Sequence, residues 1–297
     1  MTLPILALST IFALFSTISA STYDTTLSTR FVYYSAATFC HVSTLTNWEC
    51  GPACEAEPDV IHVTPVGNEA AGTFSYVAYN SKHNEIVVAF RGSHNTENWI
   101  QDLDMIKQQL PGAPSGVKVH TGIYQSYLSL QQGMLGGVNN IIAAYPAAQV
   151  VVTGHSLGAA QATLALLDIK NIFNPEHLVF YTFGSPRVGN QAFSDYFMTL
   201  YSDYKRVVHL NDWVPHAPLK AMGFSHAGEE IWYYDSDNTE SFKICSNQVG
   251  QPENTSCSDS QINDSPNSHK FYMDIRVTRQ CTLISAENPK ARTFLQN

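Results

Sequence analysis

Hydrophobic and polar positions along this chain alternate between two periods. Short apolar runs bounded by turn residues fall at Thr73 to Tyr79, Glu85 to Phe90, Gln149 to Thr153, Leu178 to Phe183, Arg206 to Leu210 and Glu230 to Tyr234, and read as strands. Segments with helical spacing lie between several of them: Gly122 to Tyr145, Leu157 to Phe173 and Asn190 to Tyr201. Strands alternating with helices imply right-handed crossovers and a mostly parallel sheet, with antiparallel pairs at its edges. The polar stretch Asn247 to Ser268 reads as a long loop, and Ala286 to Asn297 as a surface tail.

One junction carries candidate chemistry. The run Ala148 to Thr153 feeds Gly154-His155-Ser156-Leu157-Gly158, which opens the helical segment ending at Phe173. A G-x-S-x-G pentapeptide between a strand and a helix is the setting of a nucleophile elbow. The glycines suit a turn in which neighbouring backbone approaches too closely for side chains, and Ser156 then projects its hydroxyl outward.

A serine hydroxyl needs an imidazole to take its proton and a carboxylate to orient that imidazole, in the chain order Ser, acid, His for α/β-hydrolases. Asp212 directly follows the strand run Arg206 to Leu210, which puts it on the same sheet edge as Ser156; Asp168 lies within the elbow helix, and Asp259 and Asp264 lie in the polar loop. Among the eleven histidines, His216, His226 and His269 come later. His216 is too near Asp212 to approach from a separate loop, and His226 precedes a strand and reads as a packing residue. His269 follows the polar loop and is the candidate base.

An oxyanion formed by attack on a carbonyl needs donors already in place. The backbone N–H of Leu157 comes with the elbow, and Arg91-Gly92-Ser93, after the run ending at Phe90, offers a second donor at Ser93. Directly beyond it, Asn95 to Lys107 places Trp99, Ile100, Leu103 and Ile106 on one helical face, which predicts a lid over an apolar cleft. His209 and His216 lack a third ligand at useful spacing, so no metal and no cofactor are expected.

Composition adds the setting. The 297 residues are 44% hydrophobic and 14% charged, with net charge −9 and no basic cluster. That balance argues for a single globular domain over residues 21–297 and against nucleic acid or anionic membrane as a partner. A monomer is the expected state, which composition does not itself fix. Residues 1–20 carry no charged side chain and run from an apolar core, Leu3 to Phe15, to small residues ending at Ala20. This pattern reads as a secretory signal peptide, and no later run reaches membrane-spanning length. The six cysteines, Cys40, Cys50, Cys54, Cys245, Cys257 and Cys281, suit a disulfide framework in a secreted, extracellular protein, with fifteen possible pairings. Asn254 and Asn263 begin glycosylation sequons.

Taken together, several motifs resemble the class 3, fungal-type family of secreted triacylglycerol lipases. They are Phe90-Arg91-Gly92-Ser93, Asn98 to Leu103, Val119-His120-Thr121-Gly122, Val152 to Ala159, Phe183 to Asn190, and Asn211-Asp212-Trp213-Val214-Pro215. The resemblance implies an α/β-hydrolase fold with a helical lid bearing Trp99, Ile100 and Leu103, and a triad of Ser156, Asp212 and His269. It also implies an oxyanion hole of Ser93 and Leu157, with Asp102 orienting the Ser93 hydroxyl. The implied disulfides are Cys40–Cys281, Cys50–Cys54 and Cys245–Cys257. The implied activity is hydrolysis of acylglycerol esters at a lipid–water interface. A carboxylesterase of the feruloyl kind, acting on soluble substrates, is the nearer alternative, and an inactive hydrolase fold used for binding is the remote one.

Overall fold

The computed structural model describes residues 23–101, 105–235, 240–261 and 263–282. The expected signal peptide, the tail from Ala286, the lid residue Leu103 and Asp102, expected to orient the Ser93 hydroxyl, lie outside the described residues.

The described helices are α1 (Thr25–Ala37), α2 (Val42–Thr46), α3 (Pro52–Glu55), α4 (Thr96–Gln101), α5 (Thr121–Ala144), α6 (Leu157–Phe173) and α7 (Gln191–Leu200). The strands are β1 (Val60–Asn68), β2 (Thr73–Asn80), β3 (Glu85–Phe90), β4 (Lys107–Gln109), β5 (Lys118–His120), β6 (Gln149–His155), β7 (Leu178–Phe183), β8 (Tyr204–His209), β9 (Glu229–Tyr233), β10 (Phe242–Ser246), β11 (Phe271–Tyr272) and β12 (Ile275–Arg276). An eight-stranded sheet runs β1-β2-β3-β6-β7-β8-β9-β10. Pairing is parallel from β3 through β9 and antiparallel at both ends, where β2 pairs with β3 and β1 with β2, and β10 closes on β9.

The central strands are apolar throughout because helices cover both of their faces. Ile86, Val88, Phe90, Val150 and Val152 point to the side of α5 and α6, where they meet Ile123, Tyr127, Leu130 and Leu164. Val87, Ala89 and Val151 point the other way, against Phe31 and Val32 of α1. Helix α1 starts at Asp24, whose Oδ1 accepts from the N–H groups of Thr26 (2.7 Å) and Leu27 (3.1 Å). All three disulfides implied by the resemblance are present, and Cys40–Cys281 links residues 241 apart in sequence.

The lid segment departs from the reading of its sequence. Helix α4 covers Thr96–Gln101, while Lys107 opens β4 and pairs with His120 of β5, so the helical spacing of Asn95 to Lys107 is not one continuous helix. Pairing with β5 overrides local amphipathicity at the end of the segment. Among the described residues, no helix is long and apolar enough to cross a membrane.

Candidate active site

Parallel pairing of β3, β6, β7 and β8 brings their carboxyl ends to one edge of the sheet. Ser156 follows β6 directly and stands at the N-cap of α6 with φ 61° and ψ −130°. A serine at positive φ is uncommon, and the turn that holds it depends on glycine on either side. A Cβ on Gly154 would lie 2.4 Å from the Gly158 carbonyl oxygen, and one on Gly158 would lie 2.2 Å from the Phe90 carbonyl oxygen. The elbow is thereby packed on the end of β3 with no room for a methyl group. Ser156 N–H donates to the Phe183 carbonyl (2.9 Å), which ties it to β7 as well.

Asp212 lies just beyond β8 and is fully buried. Its Oδ1 accepts from the Val214 N–H (2.9 Å), and its Oδ2 accepts from His269 Nδ1 (2.8 Å) and from the Tyr272 hydroxyl. Burial alone would raise its pKa; the neighbouring His269 and these hydrogen bonds outweigh it and hold the carboxyl below its ordinary value. An ionised Asp212 only accepts, so His269 carries its proton on Nδ1 and leaves Nε2 as a base.

The His269 loop is clasped to the Asp212 turn. His209 Nδ1 donates to the Ser268 carbonyl (2.9 Å), the Ser268 hydroxyl donates to Asn211 Oδ1 (2.7 Å), and Ser265 N–H donates to the Asn211 carbonyl (2.8 Å). Gly184, after β7, supplies the space for the pair. It sits at φ +59°, and a Cβ there would come within 2.9 Å of Tyr272, Asp212 and His269.

Neither Ser156 Oγ nor His269 Nε2 has a hydrogen-bond partner among the described residues, although both are buried. Hydrogen bonds of this kind commonly close only when substrate is bound. A Cβ on Gly92 would lie 2.9 Å from Ser156 Cβ, so the loop carrying Ser93 runs against the serine. Ser93 Oγ accepts from the Asn95 N–H (3.2 Å), which leaves its own proton to donate. Leu157 is the first residue of α6, where backbone N–H groups point away from the helix without intrahelical partners. Trp99 and Ile100 lie on the backbone of α4.

The other residues weighed from sequence serve structure. His226 is buried with Nε2 donating to the Pro215 carbonyl (2.8 Å), and His216 pairs with Asp264 (2.5 Å). Asp168 accepts from the Tyr127 hydroxyl and from Gln131 (2.6 Å), and Asp259 accepts from Arg187 (3.0 Å) and Lys220. No group of three or more potential metal ligands occurs among the described residues.

Reading the sequence missed two residues of this site, Tyr272 and His155. His155 lies one residue before Ser156, with Nε2 donating to the His269 carbonyl (2.8 Å) and its ring stacked on that of His269 (centroids 4.4 Å apart, planes 29°). Position next to the motif serine was the one available signal; neither residue lies in a spacing pattern of its own.

A serine at a strand-to-helix elbow, facing an acid–base pair from later strand ends of a mainly parallel sheet, defines an α/β-hydrolase. The family model for class 3 lipases matches residues 87–222. A lipase of Rhizomucor miehei is 36% identical over 249 residues, covering 82% of this chain and 65% of that protein's length. A secreted mono- and diacylglycerol lipase of Fusarium solani is 32% identical over 239 residues, covering 77% of this chain and 71% of that protein. The solved structure of Rhizomucor miehei lipase in its propeptide complex superposes with a TM-score of 0.79 at 33% identity, covering 89% of this chain and 87% of that one. The chain belongs to the class 3 lipase family.

Proposed function

We propose that this chain is a serine lipase that hydrolyses the ester bonds of acylglycerols, with Ser156 as nucleophile, His269 as base and Asp212 as the carboxylate that orients it. The observation that carries the reading is the 2.8 Å bond from His269 Nδ1 to a buried, ionised Asp212, with the Nε2 left without a partner on the sheet edge that also carries Ser156. Ser156 Oγ attacks the carbonyl carbon as Nε2 takes its proton. The oxyanion accepts from the Leu157 N–H and from Ser93, with Asp102 orienting the Ser93 hydroxyl. His269 then hands its proton to the departing alcohol, and water, activated by the same base, releases the fatty acid.

Ser156 is 0% exposed, and His269 4%. A buried nucleophile needs a cover that moves, and α4 begins three residues after Ser93, with Trp99 and Ile100 on it. This favours interfacial activation, in which an oil surface draws that segment aside. The preference for an uncharged substrate agrees with the net charge of −9, and the three disulfides agree with secretion and extracellular action. Fatty-acid release from tributyrin, titrated at constant pH while its concentration crosses the solubility limit, tests the reading. A rise in rate once droplets form is expected. Saturation below that limit would favour an esterase for soluble substrates, and absence of any release would remove the hydrolase reading.

A further inference from the structure

We propose that His155 is a positioning residue for the reaction: a neutral imidazole that fixes the peptide and the ring plane of His269 relative to Ser156. The inference rests on the ester-hydrolase reading above. Its observations are geometric. His155 Nε2 lies 2.8 Å from the His269 carbonyl oxygen, an atom that only accepts, so the proton of His155 is on Nε2. Nδ1 is buried and without a partner among the described residues, so a second N–H there would have no acceptor and this nitrogen stays unprotonated.

The two rings lie 4.4 Å apart and 29° from parallel, and Tyr272 and Phe39 pack edge-on against His155 at 5.6 and 6.3 Å. Tyr272 is also the residue whose hydroxyl holds Asp212. The base is therefore gripped at three points: its Nδ1 by Asp212, its carbonyl by His155, and the face of its ring by the His155 ring. Because His155 is bonded directly to Ser156, this contact spans 114 positions of sequence and joins nucleophile and base through one side chain. No other hydrogen bond described between side chain and backbone links the elbow to the His269 segment.

A ring in this place serves only while it stays uncharged. Burial first, and the neighbouring His269 second, push the His155 pKa down to about 3, against the opposing hydrogen bond to the His269 carbonyl and the Asp212 charge. When His269 becomes an imidazolium during attack, the ring beneath it neither competes for the proton nor repels it, and offers a π face to the cation.

Two substitutions separate the parts of this role. His155→Phe keeps a ring and loses the donor; His155→Gln keeps an N–H donor and loses the ring. Both are assayed on a soluble short-chain p-nitrophenyl ester, alongside circular dichroism, urea unfolding, and proton NMR of the low-field His269 Nδ1–H. With the fold retained, His155→Phe is expected to lower kcat by about 10- to 100-fold at a KM within about twofold of the parent, since small displacements of reacting groups carry costs of this size. It is also expected to shift or broaden the Nδ1–H resonance, and His155→Gln to recover part of kcat. Parent-like kcat and an unmoved resonance in folded His155→Phe would overturn the proposal, as would a loss of kcat that merely follows the unfolded fraction. If the parent chain itself hydrolyses no ester, the functional reading fails instead, and the resonance alone then decides whether His155 positions His269.

Discussion

At the scale of single residues, the site consists of groups whose protonation is set by their partners. Asp212 is buried yet ionised because His269, Tyr272 and the Val214 N–H compensate for lost water. Its folded pKa lies below the ordinary 3.8, so it contributes stability that is full above the unfolded value and is lost as pH falls through the folded one. Tyr272→Phe removes a donor to this charge and is expected to destabilise the fold by about 1.5–3 kcal/mol at neutral pH, the range for hydrogen bonds to charged groups, as read by urea unfolding. Ser93→Ala tests the oxyanion donor proposed for that residue. Loss of one such donor costs about 10²–10³-fold in kcat, and the thermal midpoint should stay near that of the parent. A Ser93→Ala protein with unchanged kcat would assign the second donor elsewhere.

At the scale of elements, what holds the site is the meeting of strand ends with the glycines between them. Gly184→Ala combines a positive φ with contacts under 3.0 Å to Tyr272, Asp212 and His269, so the pair must shift. The expected cost is about 2–4 kcal/mol from overpacking and left-handed strain, with kcat reduced in whatever folds. Matched urea unfolding and ester turnover check both parts. The elements that make this edge were legible in sequence because strands buried on both faces read as unbroken apolar runs: Glu85–Phe90 and Leu178–Phe183 match their predicted limits, and α6 matches Leu157 to Phe173. Helix α1 was not legible, since it buries Ser28, Tyr34 and Ser35 along with its apolar residues and so lacks a clean polar face. Edge strands β1 and β10 were missed for a related reason. Their buried and exposed positions do not alternate regularly, and Pro65 and Gly67 in β1 argue locally against a strand. Tyr272 and His155 escaped because their roles arise from contact across 60 and 114 positions, which no local period records.

At the scale of the whole molecule, buried neutral histidines make the fold sensitive to acid. Burial first, and then Arg206 and Arg187, hold His226 far below the ordinary 6.5, and His155 is pushed down to about 3. Unfolded histidines bind protons below 6.5 while these two do not, so stability is lost as pH falls below that value. Each contributes a slope of about 1.4 kcal/mol per pH unit once well below it. Urea unfolding at pH 7, 6 and 5 should show this loss, and His226→Asn should reduce the slope. The Cys40–Cys281 bridge closes almost the whole described domain, and opening it by paired alanine substitution is expected to cost about 5 kcal/mol in the chain-entropy picture.

If Ser156 is the nucleophile of an ester hydrolase, as proposed, a covalent trap will find it. The purified protein is treated with an alkyl p-nitrophenyl phosphonate dispersed in detergent, and the modified peptide is mapped by mass spectrometry. One phosphonyl group per chain is expected, on Ser156, appearing in step with loss of ester turnover, and none on a Ser156→Ala protein. Stoichiometric labelling at another residue, or ester turnover that survives Ser156→Ala, would contradict the proposal.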